Sequence, residues 1–210
     1  MTTKKPDLAT TLIHHPYVPP AGFAAPQPAV HKASTVIFAD TAALRARNWK
    51  SKAGYTYGLH GTPTTFTLEE RIATLEGGLQ TLLVPSGLAA IALVDLALLK
   101  SGDELLIPDN AYGPNKELAR NELAGWGITH RFYDAMDPAS LAAAIGPATR
   151  LVWLETPTNP MLKLVDIAGL MDALRQLAAA RQTVAPERRE VVAFYPAFHQ
   201  NIRRNARVAE

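Results

Sequence analysis

Apolar positions along the chain change period several times, and each change marks an element. Leu68, Ile72 and Leu75 share one helical face. Thr67 with Glu70 reads as a capping box and Gly77-Gly78 as a stop, which predicts a helix over residues 68–76. Residues 80–84 read as a short buried strand ahead of Pro85. The run 88–100 is apolar on nearly every side and ends at Gly102, the pattern of a helix inside the domain. Strands and helices then alternate: a strand at 104–107, a helix at 115–124 closed by Gly125, a strand at 129–133, a helix at 138–145 and a strand at 151–154. This order predicts an α/β fold with a mostly parallel sheet and helices on its faces. No internal repeat is visible.

The flanks are different. Residues 2–49 are broken by Pro16, Pro19, Pro20, Pro26 and Pro28, so an extended arm is expected, with Thr35-Val36-Ile37-Phe38 apolar enough to pack on something. Near the other end, Ala179-Ala180-Arg181-Gln182 closes a helix, residues 184–190 form a charged loop, and 190–195 suit a substitute strand.

Ligands of parallel sheets gather beyond the carboxyl ends of the strands. Pro85-Ser86-Gly87, the run from Asp109 to Gly113 and the run from Glu155 to Pro160 each follow a predicted strand. At Ser86-Gly87-Leu88 a helix opens. Its free N–H groups and dipole favour an anion, and glycine lets the main chain approach closely. Alone, such a turn more often just joins two elements.

Composition narrows the classes. The 210 residues are 48% hydrophobic and 19% charged, the balance of a globular protein. A formal charge of +2 leaves no basic footprint for nucleic acid, and Arg188-Arg189 and Arg203-Arg204 read as a solvated face. The absence of cysteine excludes disulfides, thiolate metal ligands and a cysteine nucleophile, and fits a reducing cytoplasm. The first residues lack the apolar run of a secretory signal, and the segment 88–99 is too short for a bilayer and contains Asp95, so no membrane role is expected. Neither a Gly-x-Gly-x-x-Gly nor a Walker sequence occurs, which counts against a nucleotide-binding domain.

Read together, the run Tyr55-Thr56-Tyr57-Gly58-Leu59-His60-Gly61-Thr62-Pro63-Thr64, then Leu75-Glu76-Gly77-Gly78, Pro85-Ser86-Gly87-Leu88-Ala89-Ala90, Asp109-Asn110-Ala111-Tyr112-Gly113 and Glu155-Thr156-Pro157-Thr158-Asn159-Pro160 resembles the Cys/Met-metabolism family of pyridoxal-phosphate (PLP) enzymes. The resemblance spans residues 6–170 and is strongest to the cystathionine beta-lyase type. It implies PLP fold type I (aspartate aminotransferase-like), with an arm and inter-subunit loop at 1–62, a partial PLP-binding α/β domain at 63–170 and a divergent tail at 171–210.

The resemblance also implies roles for particular residues. Ser86, Gly87 and Leu88 cradle the cofactor's phosphate, and Tyr57 reaches the phosphate in a neighbouring subunit of a homo-oligomer, typically a tetramer. Tyr112 stacks on the pyridine ring and is the catalytic candidate for proton transfer. Asn159 binds the phenolic oxygen, Glu155 shapes the site, and either Pro157 or Pro160 could follow a cis bond. No metal is implied. On their own, Tyr57 and Tyr112 would pass for ordinary half-buried core aromatics.

The implied substrate is a sulfur amino acid such as cystathionine, cleaved by beta-elimination to homocysteine, pyruvate and ammonia. Gamma-synthase and methionine gamma-lyase types are alternatives, as is an inert or partner-binding remnant. Two departures stand out. Leu59 occupies a position where the family carries a phosphate-binding arginine, with His60 beside it. After residue 170 the expected Asp-Asn-Thr and Ser-x-Thr-Lys-Tyr segments do not follow, and Lys163 stands too early for the Schiff-base lysine. The expectation is a truncated or frameshifted product with an unpaired sheet edge and uncovered apolar faces.

Overall fold

The computed structural model describes residues 7, 10, 21–22, 28–158, 161–182 and 191–195, the last stretch and 176–182 through their backbone alone. The chain forms two compact units, Met1–Leu83 and Val84–Glu210.

In the first unit, residues 28–49 are irregular except for a short exposed helix, α1 (Thr41–Ala46), capped by Asp40, whose side chain accepts from the Ala43 N–H at 2.7 Å. In the apolar run at 35–38, Ile37 is 93% exposed while Val36 and Phe38 are half-buried. The Gly58 N–H donates to the Ser34 carbonyl at 2.7 Å, joining the arm to the Tyr57 loop. A Cβ at position 58 would lie 1.9 Å from the Ala33 carbonyl oxygen, so only glycine permits this approach.

Helix α2 (Pro63–Glu76) begins earlier than its apolar pattern predicts. Thr62 is the N-cap and Pro63 holds the first helical position, a stronger start than Thr67 because proline's fixed φ suits that position and its missing N–H costs nothing there. The expected capping box at Thr67 therefore does not form, and Glu70 instead accepts from the Thr74 hydroxyl at 2.9 Å. Gly77, at φ 70°, ends the helix as predicted.

Residues 80–84 are not a strand. Side chains serve two of this segment's backbone groups where a ladder was expected. Buried Glu69 accepts from the Leu83 N–H at 2.9 Å and pairs with Lys52 at 2.5 Å, while Lys52 also donates to the Thr81 carbonyl.

The second unit carries a four-stranded parallel sheet in the order β2-β1-β3-β4. Its elements are α3 (Gly87–Leu98), β1 (Glu104–Pro108), α4 (Gly113–Leu118, continuing through a π-helical turn at Ala119–Leu123), β2 (Thr129–Tyr133), α5 (Pro138–Ala144), β3 (Thr149–Glu155), α6 (Ile167–Gln182) and β4 (Val191–Tyr195). Alternation along the strands feeds two cores. Leu105, Ile107, Leu151 and Trp153 join Ile91, Ala119 and Leu123 on one face, and Leu106, Val152 and Leu154 join Leu141, Leu170 and Leu174 on the other. Burial on both faces is why β1 reads as a continuous apolar run. The substitute strand expected at 190–195 is β4, paired in parallel with β3.

Three further expectations need correction. Helix α3 is not wholly buried: Ile91 and Asp95 are, but Leu93 and Leu96 are 41% and 52% exposed. Its all-round apolar pattern states what could be covered, and the sheet covers one side. The helix stops at Leu98, before the Gly102 turn. Helix α4 starts at Gly113 with proline in its first turn, and the left-handed residue that follows it is Gly127, at φ 77°, rather than Gly125.

Candidate functional site

At the start of α3, Ser86 sits in extended backbone. Its hydroxyl oxygen accepts from the Ala89 N–H at 3.1 Å and its carbonyl from the Ala90 N–H at 3.0 Å. The amides of Gly87 and Leu88 have no acceptor among the described residues, and the Ser86 O–H is left to donate outward. Ser86 and Gly87 are exposed, so an incoming anion meets two amides, a hydroxyl and the positive end of a twelve-residue helix.

The end of β1 is pinned from several sides. The Asp109 N–H donates to the Tyr133 carbonyl at 2.8 Å, and the Lys116 ammonium donates to the Asp109 carbonyl at 2.8 Å. The Tyr112 N–H donates to Glu155 Oε2 at 3.0 Å, joining the end of β1 to the last residue of β3. Tyr112 caps α4 without a side-chain bond, and its half-buried ring packs on the core cluster that includes Ile91 and Trp153. On either side of it, the side-chain oxygens of Asn110 and Asn115 are buried with no hydrogen-bond partner among the described residues.

Beyond β3, Thr156 and Thr158 are tied by hydrogen bonds to Val165 and Lys163. The fully buried Thr158 donates its N–H to the Lys163 carbonyl at 3.0 Å, and its hydroxyl oxygen accepts from the Lys163 N–H at 3.2 Å. The Thr156–Pro157 bond is cis. Asn159 and Pro160 lie outside the described residues.

Beneath these loops Tyr133 is buried and donates to the Trp153 carbonyl at 2.7 Å. Burial pushes its phenol far up, and the negative charges of Asp109 and Glu155 push it the same way. The phenol is thus held protonated as a donor to that carbonyl.

Ser86, Gly87, Leu88 and Tyr112 therefore stand on α3 and α4, two elements in contact. Tyr57 belongs to the first unit, where its ring meets His60 edge-on at 5.9 Å and His60 stacks on Trp49 at 5.9 Å. Sequence reasoning passed over Asn110, Asn115, Tyr133 and Asp95. The last was visible as an acid within an otherwise apolar helix.

A parallel α/β unit with an open helix start beside a tyrosine-bearing turn is the architecture of a domain that can take an anion at the ends of its strands. The family profile of Cys/Met metabolism PLP-dependent enzymes matches residues 9–184, and the chain belongs to that family. Cystathionine beta-lyase MetC of Bacillus subtilis is 34% identical over 169 residues, covering 80% of this chain and 41% of that protein. L-methionine gamma-lyase of Pseudomonas putida is 35% identical over 178 residues, covering 85% and 45%. The crystal structure of metB from Corynebacterium glutamicum superposes with a TM-score of 0.70 at 29% identity, covering 81% of this chain and 43% of that one.

The chain spans less than half the length of these relatives. Its α/β architecture is that of the N-terminal part of a fold-type I domain. The relatives include beta-lyases, gamma-lyases and a gamma-synthase, so the likeness singles out no one activity. No helix among the described residues is long and apolar enough to cross a membrane.

PLP is the family's cofactor. The residues present fit its phosphate and ring: open amides and a hydroxyl for the phosphate, a half-buried tyrosine for the ring, and two unpartnered asparagine oxygens for a donor. Of the nearby lysines, Lys116 is engaged with the Asp109 carbonyl and Lys163 is exposed.

Proposed function

We propose that this chain carries the phosphate-and-ring part of the site of a PLP-dependent carbon–sulfur lyase, with beta-elimination of cystathionine to homocysteine, pyruvate and ammonia as its activity. The observation that carries this reading is the open start of α3 beside the Tyr112 turn, in a chain whose family match runs through both. When bound, PLP supplies an electron sink for the charge left on the substrate's α-carbon.

The chain's own residues then have these tasks. Gly87, Leu88 and Ser86 hold the phosphate by N–H and O–H donation, and Tyr57 adds its hydroxyl across the interface of a homo-oligomer. Asn159 donates to the ring's phenolic oxygen. Tyr112 lies against the ring, and its hydroxyl, free of partners among the described residues, moves a proton at the departing sulfur. Glu155 holds the Tyr112 amide and so fixes where that hydroxyl stands. Leu59 can neither donate nor carry charge, which predicts a weaker hold on phosphate than an arginine there would give.

The test is to supply purified protein with PLP and cystathionine and identify the keto acid released. Pyruvate supports the beta-lyase reading, 2-oxobutanoate moves it to the gamma-lyase type, and no keto acid sinks both.

The lysines favour a second reading, a non-catalytic polypeptide that keeps the phosphate cradle and pairs with a partner subunit. Borohydride treatment in the presence of PLP, followed by peptide mapping, separates the two. A lysine adduct supports catalysis, and its absence supports the partner-binding protein.

A further inference from the structure

Asp95 lies in the C-terminal half of α3, fully buried in an otherwise apolar helix. Its Oδ1 accepts from the Trp153 indole N–H at 2.9 Å, a bond from the helix to β3, while its Oδ2 is buried with no partner among the described residues. A buried acid with one oxygen unsatisfied lowers stability, and such groups persist where something other than stability retains them.

The same helix begins at Ser86, about 13 Å away along the axis at 1.5 Å per residue. Trp153 stands two residues before Glu155, the carboxylate that holds the Tyr112 amide. One hydrogen bond thus connects the helix carrying the open amides to the strand carrying the anchor of the tyrosine turn.

We propose that Asp95 is a positioning residue for the phosphate site: it seats α3 on β3 through Trp153, and its charge state sets how firmly the amides at the helix start hold an anion. This rests on the phosphate reading given above. Burial pushes the Asp95 carboxyl up to about 6, with the Trp153 bond opposing the rise in part.

No charged side chain contributes to that shift. Elements packed on α3 carry Lys116 and Glu117 on α4 and Arg150 and Glu155 at the two ends of β3. Lys116 is bound to the Asp109 carbonyl, Glu117 is paired with Arg120, and Glu155 holds the Tyr112 amide. Below about pH 6 the helix therefore presents its dipole to a phosphate unopposed. Above it, an ionised Asp95 within the same poorly polarisable interior weakens that attraction by about fivefold to tenfold.

The experiment is inorganic phosphate binding between pH 5 and 8, by calorimetry, for the full chain and its Asp95→Asn, Asp95→Leu and Ser86→Ala variants. Dividing wild-type affinity by that of Asp95→Asn removes the titration of phosphate itself. This ratio should fall about fivefold across pH 6. Asp95→Leu, with no acceptor for the indole, should bind more weakly than Asp95→Asn at every pH.

A flat ratio overturns the charge linkage, and equal binding by the Leu and Asn variants overturns the positioning role. If wild type and Ser86→Ala bind phosphate equally weakly at all pH values, the phosphate reading itself fails and the inference falls with it.

Discussion

Where the strands of the sheet begin, Glu104 holds Arg131 through both carboxylate oxygens, at 2.6 and 2.8 Å, and also accepts from the Thr149 hydroxyl at 2.6 Å. Three neighbouring strands are cross-linked there by one buried acid, and the pairing lifts Arg131 above its ordinary value. Where the strands end, the buried oxygens of Asn110 and Asn115 and the amides that open the helix beside them lack partners among the described residues. The first end is a closed polar network and the second is incomplete. Closed networks explain themselves as structure; incomplete ones call for a ligand.

The largest expected effect comes from breaking the closed end. Glu104→Ala leaves Arg131 and Thr149 without their acceptor and should cost about 3 kcal/mol of stability by urea denaturation, the low end for a broken buried pair because Arg131 is half exposed. Phosphate affinity of the folded variant should not change. A loss of binding without a loss of stability would reverse the contrast between the two ends.

Next comes Asp95. Its carboxyl is raised from 3.8 to about 6 in the folded state. The folded protein binds this proton more tightly than the unfolded chain does, so the stabilisation is complete below the unfolded value and is lost as pH rises through about 6. Asp95→Asn should therefore gain on wild type by up to about 3 kcal/mol between pH 4 and 7.5, the free-energy equivalent of the full shift. Denaturation midpoints of the two proteins that run parallel over that range would show the acid is less isolated than its geometry implies.

How much of this was legible beforehand depends on the interaction. Strand β2 and the starts of β1 and α5 follow local pattern, since alternation and a proline at the helix start act over a few residues. The segment 80–84 did not become a strand because a ladder needs a neighbour, and no apolar pattern supplies one. Likewise α3 is apolar all round whether or not both sides are covered. The helix start at Ser86, Gly87 and Leu88 was readable because a cap followed by open amides is a property of three consecutive residues. The bond from Trp153 to Asp95 joins positions far apart in sequence, and single-chain periodicity carries no trace of it.

Ser86→Ala tests the incomplete end directly. Removing the hydroxyl leaves the Ala89 N–H uncapped and should cost about 1 kcal/mol of stability, while phosphate affinity drops about tenfold. The two effects have different origins. A Ser86→Thr variant keeps the capping oxygen and should recover most of the stability together with the binding, and recovery of one without the other would separate capping from ligation.

The smallest structural effect and the most discriminating functional one belong to Tyr112→Phe. The Tyr112 hydroxyl has no partner among the described residues, whereas its amide is held by Glu155 and its ring by the core cluster, and phenylalanine keeps both contacts. Stability should stay within about 0.5 kcal/mol of wild type. If the hydroxyl moves a proton at the departing sulfur, the elimination rate of PLP-loaded protein on cystathionine should fall about a hundredfold with phosphate binding untouched. Unchanged turnover would leave Tyr112 as a packing residue and move the proton-transfer role to another group. A stability loss of several kcal/mol would mean the hydroxyl belongs to a closed network after all, and the two ends of the sheet would then differ less than their hydrogen bonds indicate.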